Sequence, residues 1–412
     1  MSLSRRDFLR STLWLSASCA ASSLFERSAF AQAASQSQTG KTLVVLQLTG
    51  GNDGLNTVIP YADDLYYKLR PSLAYGRDSV ILLSDTVGLN PSLSKLRSYW
   101  DQGNLAVVQG VGYPKPNRSH FESMDIWHSA DPTNRTATGW LGRYLDELHD
   151  TRGGLQGLSL GDALPHALIA GATLTTSVQN LDGFQVQTDE HNYHKDRPAM
   201  VRALQDLFVK QAGDGDALTA LRQSSAQVFD DADRFQESLK LYKPAVAYPA
   251  GDGGLGRSLQ QIAQLIVTDS PARVYYTFLD GFDTHAGQKN QHGPLLGRLA
   301  AAVDAFFTDL RLQKRANDVV LLAFSEFGRR AKENGSKGKE GTDHGKASVV
   351  FLLGDGVKGG LYGAYPSLSD LDDGDLVFNT DFRSIYASLL DRWMGVPSDK
   401  VLGGTFPNLT FL

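Results

Sequence analysis

Cysteine is nearly absent: the 412 residues contain one, Cys19. It lies in the N-terminal stretch, so disulfides and cysteine metal ligands are excluded from the rest of the chain. A lipid-modified cysteine fits poorly, because Ser16 stands where such a motif wants leucine. Strong charge of either sign is missing too. The formal net charge is -5, which argues against nucleic acid as the main partner. After the N-terminal stretch no apolar run approaches the roughly 18 residues needed to span a bilayer. No internal repeat is visible. Hydrophobic residues at 42% and charged residues at 21% are an ordinary globular composition, enough for one large α/β domain or two smaller ones.

The N-terminus reads as an address rather than as fold. Ser4-Arg5-Arg6-Asp7-Phe8-Leu9-Arg10 matches the twin-arginine export pattern, a weakly apolar segment runs from Ser11 to Phe25, and Ala29-Phe30-Ala31 has the form of a cleavage site. The bland alternative is a basic amphipathic helix. Residues 1–31 are therefore expected to be a signal peptide read by the twin-arginine machinery, with a destination outside the cytoplasm, periplasmic or secreted. Residues 32–40 are small and polar and are expected to be a disordered leader.

The remainder, 41–412, shows an alternation of strands and helices. Thr42 to Leu48 is a near-continuous apolar run, as expected of a strand covered on both faces. Further strands are expected at Val80–Leu83, Leu105–Val111, Gln156–Leu160, Val274–Leu279, Val319–Phe324 and Ser348–Leu353. Leu295, Leu296, Leu299, Val303, Phe306, Phe307 and Leu310 form a helical stripe between two of them, the crossover of a parallel βαβ unit. The pattern predicts an α/β fold with a single large, mostly parallel sheet sandwiched by helices. A helical insertion is expected at about 197–241, and a Pro, Gly and Ala-rich connector follows from Tyr242 to Gly254. The lysine-rich segment from Ala331 to Gly341 is expected to be a mobile loop, able to act as a flap.

Carboxylates and histidines gather at predicted strand ends, where open α/β sheets hold their sites. Thr49-Gly50-Gly51-Asn52-Asp53-Gly54 follows the first strand, and Asp53 is either a ligand or ordinary turn chemistry. Asn117-Arg118-Ser119-His120-Phe121-Glu122 follows another. Ser119 and Glu122 can form a capping box, or the Ser119 hydroxyl can act as a nucleophile at a helix N-terminus. Asp283-Thr284-His285 carries an acid and an imidazole at a third strand end, with His292 as a spare. Glu326 closes a fourth, as a ligand or as a partner of Arg329 or Arg330, and Asp343-His344 lies between glycines before the last strand. Carboxylate oxygens with imidazole nitrogens suit zinc or manganese. His191 and His194 could form a separate pair, though their polar surroundings look like a solvated surface.

Five phrases, Gly51-Asn52-Asp53-Gly54-Leu55, Asn117-Arg118-Ser119-His120-Phe121, Gly281-Phe282-Asp283-Thr284-His285, Ser325-Glu326-Phe327-Gly328-Arg329 and Gly341-Thr342-Asp343-His344-Gly345, resemble the twin-arginine-exported family known as domain of unknown function 1501. Their order is similar to that of the alkaline phosphatase superfamily, which includes sulfatases. That resemblance implies an alkaline-phosphatase-like domain that hydrolyses small anionic phosphate or sulfate esters. It implies one or two divalent ions, zinc or manganese first and calcium or magnesium otherwise. Asp53, Asp283, His285, Glu326, Asp343 and His344 would hold metal, Ser119 would be the nucleophile, and Arg118 or Arg329 would hold the substrate's oxygens. The pattern departs from the superfamily in two places: Asp283-x-His285 is shorter than its usual spacing, and Glu326-Phe327 replaces an Asp-His pair. The histidine count is one short unless His292 or His120 fills in. A relative with the same fold that binds metal without turnover, a scaffold, is the other reading.

The export reading makes a direct prediction. Arg5→Lys with Arg6→Lys should strand the full chain in the cytoplasm, because the arginine pair is what the receptor reads. Cell fractionation with unchanged periplasmic levels would remove it.

Overall fold

Strand β1, Thr42–Leu48, is buried along its whole length. It sits near the middle of a sheet whose other strands are β2 (Leu105–Gly112), β3 (Gly157–Leu160), β4 (Thr175–Val178), β5 (Val274–Leu279), β6 (Val319–Phe324), β7 (Ser348–Leu353), β8 (Gly360–Tyr362) and β9 (Thr380–Asp381). The order is β8-β2-β7-β6-β1-β5-β3-β4, with β9 added onto β2. This computed structural model describes residues 40–133, 136–148, 154–181, 203, 206, 231–251 and 253–412. The expected signal peptide, nearly all of the expected leader, His191 to His194 and most of 197–241 lie outside the described residues.

The sheet is mostly parallel, as the sequence pattern predicts. One strand is reversed: β7 pairs antiparallel with both β6 and β2. Its first residue therefore lies on the same edge as the last residues of β1, β2, β5 and β6. The segment 80–83 does not enter this sheet. Ile81–Leu82 joins a small ribbon with Val58–Ile59 and Gly88–Leu89, and the chain turns back directly after it, where the Leu83 and Ser84 amides donate to the Val87 carbonyl.

The main helices are α1 (Asp64–Leu69), α2 (His120–Ser129), α3 (Trp140–Leu148), α4 (Leu255–Val267), α5 (Gln288–Leu312) and α6 (Phe382–Leu389). Strand side chains alternate between two cores. Val44, Leu46 and Leu48 pack with α4 and α5 on one face. Leu43 and Val45 pack with α2, α3 and α6 on the other. The apolar stripe of α5 is buried from Leu295 to Leu310, and α5 joins β5 to β6, the two neighbours of β1. The connector after residue 241 is tied to α5 rather than loose. The Tyr242 and Tyr248 hydroxyls and the Ala245 amide all donate to the buried Asp309 carboxylate.

The segment 331–341 is a hairpin rather than a free flap. Backbone bridges pair Arg329 with His344 and Asn334 with Gly341. The Glu333 carboxylate also accepts from the amides of Ser72 and Leu73. Its tip, residues 335–339, is exposed.

Leu296→Ala should cost about 3 kcal/mol of unfolding free energy, the usual size for a fully buried leucine. Urea denaturation measures it. A loss below about 1 kcal/mol would mean that α5 is not a principal cover of the sheet.

Candidate metal centre

The loops that follow β1, β5 and β6 lie against one another almost backbone to backbone. Gly50 has φ +115°, and a Cβ there would come within 2.5 Å of the Asp283 amide nitrogen. A Cβ on Gly341 would meet the His285 carbonyl carbon at 2.3 Å. Glycine is required at both points, which explains the glycines in these phrases. The loops are joined by the buried guanidinium of Arg329. It donates to the carbonyl oxygens of Gly51 (2.7 Å), Thr342 (2.7 Å), Phe282 (2.9 Å) and Gly50, and to Asp283 Oδ1 (2.7 Å).

Four side chains converge over this base. His285 Nε2 lies 3.0 Å and His344 Nε2 3.1 Å from Asp283 Oδ1. The two Nε2 atoms are 2.9 Å apart. His120 Nε2 is 3.6 Å from Asp283 Oδ2. One donor atom each from His120, Asp283 and His344 fits within 4.8 Å, close enough to share an ion. Each imidazole is held from behind through Nδ1: His120 by Glu326 Oε1 at 2.8 Å, His285 by Asp343 Oδ1 at 3.1 Å, and His344 by the Arg118 carbonyl at 2.9 Å. A carbonyl only accepts, so His344 Nδ1 carries the proton, and the two carboxylates fix the same tautomer on His120 and His285. The Nε2 lone pairs then face one another and the Asp283 carboxylate. Lone pairs this close repel unless a proton or a cation lies between them. The Nε2 of His120 is buried and has no hydrogen-bond partner. These residues fit a divalent ion, with the outer carboxylates orienting the imidazoles as is usual around metals. The Phe327 ring floors the group, its centre 4.9 Å from that of His120 and 4.8 Å from that of His344.

The electrostatics agree with this arrangement. Burial opposes ionisation of Asp283, but the hydrogen bond and charge of Arg329, with the neighbouring imidazoles of His344 and His285, outweigh it and hold the carboxyl at about 2. The hydrogen bond to Glu326 raises His120 above the ordinary imidazole value despite burial. Burial lowers His344, opposed by the nearby Asp283 carboxylate and the Arg118 carbonyl.

Several residues singled out from the sequence sit elsewhere than expected. Asp283, His285 and His344 are in the cluster. Asp343 and Glu326 are in the layer behind it, each on an imidazole Nδ1. Glu326 Oε1 also accepts from the Gly50 amide (2.9 Å) and its Oε2 from Ser325 Oγ (2.9 Å). Asp53 is fully buried away from the cluster, with Oδ2 paired to Arg70 Nη1 at 2.5 Å. Burial pushes the Asp53 carboxyl up, yet Arg70 more than compensates and leaves it below its usual value. Arg329 is enclosed by the carbonyls it serves, so it cannot reach a substrate. The Arg118 guanidinium turns to Asp375 at 3.2 Å, and only its carbonyl touches the cluster. His292 is buried on α5, with Nε2 at 2.9 Å from Asn52 Oδ1. Ser119 occupies the N-cap position of α2, but its hydroxyl makes no capping bond. Glu122 accepts from the Asn117 amide group instead of closing a capping box.

Two residues carry more of the site than the sequence suggested. His120 could be found from its place in a strand-end loop, beside Ser119. Arg70 has no comparable mark, because nothing local distinguishes it from an ordinary residue at the end of α1.

The profile of the family described as "Protein of unknown function (DUF1501)" matches residues 106–402. No curated protein matches the chain. Among solved structures, it is similar to a protein in the alkaline phosphatase superfamily from Vibrio parahaemolyticus (8% identity, 88% of this chain and 68% of that one, TM-score 0.39). It is also similar to the PsFucS1 sulfatase from Pseudoalteromonas sp. (12% identity, 87% and 69%, TM-score 0.34). A third is the lipoteichoic acid synthase LtaP from Listeria monocytogenes (10% identity, 89% and 75%, TM-score 0.33).

Arg329→Lys tests the base of the site. A single ammonium cannot serve four carbonyls and a carboxylate, and each buried group left unpaired costs about 1–3 kcal/mol. A loss of roughly 3 kcal/mol in chemical denaturation is expected. An unchanged midpoint would show that the loops are held by something else.

Proposed function

The chain belongs to the DUF1501 family of proteins of unknown function, and we propose that it is a metal-dependent hydrolase of small phosphate or sulfate esters. The observation that carries this reading is the meeting of two features at one point. A His-rich, carboxylate-bearing cluster, built to hold a cation, lies at the start of α2, where an uncommitted serine hydroxyl stands.

Asp283, His120, His285 and His344 would hold the ion. When bound, a divalent cation there supplies Lewis acidity toward an ester oxygen and lowers the pKa of a neighbouring hydroxyl. Ser119 is the candidate nucleophile. It is exposed, and its chain neighbours on both sides touch the cluster, Arg118 through its carbonyl and His120 through its ring. Because the hydroxyl leaves the first-turn amides of α2 uncapped, those amides and the helix dipole favour an anionic group beside it. The Ser119 oxygen would attack phosphorus or sulfur, the alcohol would depart with a proton, and water would then release the anion from the serine. The twin-arginine pattern at Arg5 and Arg6 supports placing this activity outside the cytoplasm. No helix among the described residues is long and apolar enough to cross a membrane.

A scaffold without turnover is favoured by a different observation: the Ser119 hydroxyl makes no capping bond, and the adjacent His120 imidazole is turned to Glu326 and Asp283. One variant separates the readings. Ser119→Ala should keep bound metal and cost well under about 1 kcal/mol of stability, since no cap bond is lost. It should reduce ester hydrolysis by at least ~10³-fold, as removal of a covalent nucleophile does. Unchanged hydrolysis in Ser119→Ala would remove the serine from the mechanism. A metal-loaded wild type that hydrolyses nothing in a broad panel of phosphate and sulfate esters would leave the scaffold.

A further inference from the structure

We infer that the centre takes a single ion of the zinc class and that the buried guanidinium of Arg70 stands as a fixed cation beside Asp53, closing that position to a second ion. The inference rests on the metal-binding part of the proposed function and is independent of turnover.

A two-ion site in this chain would need Asp53 and Glu326 as ligands, and neither has what a ligand needs. Asp53 is enclosed, and its Oδ2 accepts from Arg70 Nη1 at 2.5 Å and from the Gln288 side-chain amide. Arginine does not lose its proton in proteins, so the carboxylate is permanently neutralised. Arg70 is also not free to swing aside. Its Nε donates to the Ala331 carbonyl at 3.0 Å, its Nη2 to the Arg330 carbonyl at 2.9 Å, and its Nη1 also to Asn56 Oδ1 at 2.9 Å. Asn56 is held in turn by the Tyr66 hydroxyl and the Leu73 carbonyl, both at 2.9 Å. Leaving would strip several buried acceptors at once.

Glu326 is committed as well, with three donors on its two oxygens. What remains near Asp53 is its Oδ1 and the Nδ1 of His292, both buried and without a hydrogen-bond partner. Two donor atoms fall short of the four of a structural or catalytic zinc shell. An ion there would also share one carboxylate with a guanidinium, and two fixed positive charges in a buried place repel strongly. The remaining cluster offers three imidazole nitrogens and one carboxylate. That set suits zinc and its neighbours, whereas calcium and magnesium require mainly oxygen donors.

The test is metal stoichiometry on the purified full chain, stripped with a chelator and reloaded. Zinc titration calorimetry and elemental analysis should both give one zinc per chain. Magnesium or calcium at millimolar concentration should not displace it. His120→Ala should weaken zinc binding at least ~10-fold, and Glu326→Gln by about 10-fold through loss of the imidazole's orientation. Asp53→Asn should leave stoichiometry and affinity unchanged. If that variant fails to fold, the wild-type stoichiometry together with Glu326→Gln decides. Two zinc ions per chain, or loss of an ion in Asp53→Asn, would overturn the inference, as would displacement of zinc by magnesium. Absence of zinc binding would overturn it together with the metal-dependent reading. One zinc without ester hydrolysis would leave it standing and remove the hydrolase alone.

Discussion

A single guanidinium closes the base of this site. Arg329 leaves β6 and enters a space bounded by carbonyls from the β1 loop, the β5 loop and the segment before β7. Those carbonyls would otherwise be buried without partners, and a planar group with five donors can satisfy them together. The same group donates to Asp283 and so fixes the carboxylate around which the imidazoles gather. A residue whose sequence neighbourhood suggests substrate binding is thus spent on architecture. Its positive charge still acts on the site, because it helps keep Asp283 ionised.

Strand direction brings the remaining groups together. Loops after parallel strands share one edge of a sheet, which accounts for Asp283, Glu326 and His120. His344 precedes its strand and would lie at the far edge if β7 ran parallel. The reversal of β7 brings it to the common edge, and the Arg329–His344 bridge fixes its distance from the β6 loop. Glycines at 50 and 341 then allow the loops to approach to distances no side chain permits.

Carboxylates that look equivalent as a string of residues are sorted into separate roles by burial and partners. Asp283 faces the imidazoles. Glu326 and Asp343 stand behind them and set their tautomers. Asp53 is consumed by Arg70. Four acids and four histidines at strand ends could build several metal sites. The hydrogen bonds to Nδ1 select one, because an imidazole with its Nδ1 proton engaged can offer only Nε2.

The sequence by itself determined the α/β class, the central strand, the α5 crossover stripe and the strand-end loops in which the polar groups lie. Each of these follows from local periodicity, and a buried strand or an amphipathic helix shows its period within a few residues. It also brought Asp283, His285 and His344 forward as candidates, because acids and histidines beside glycines at strand ends are visible locally. Only the tertiary structure decided which acids face the cluster. Asp53 and Arg70 are 17 residues apart, and Arg329 reaches Gly51 across 278. Pairings at such separations leave no trace in local spacing, so turn chemistry and ligand chemistry read alike at Asp53, as capping and nucleophile do at Ser119. The ranking of His120 above His292 was decided in the same way: one imidazole lies on the loop edge against Glu326, and the other is turned into the protein against Asn52.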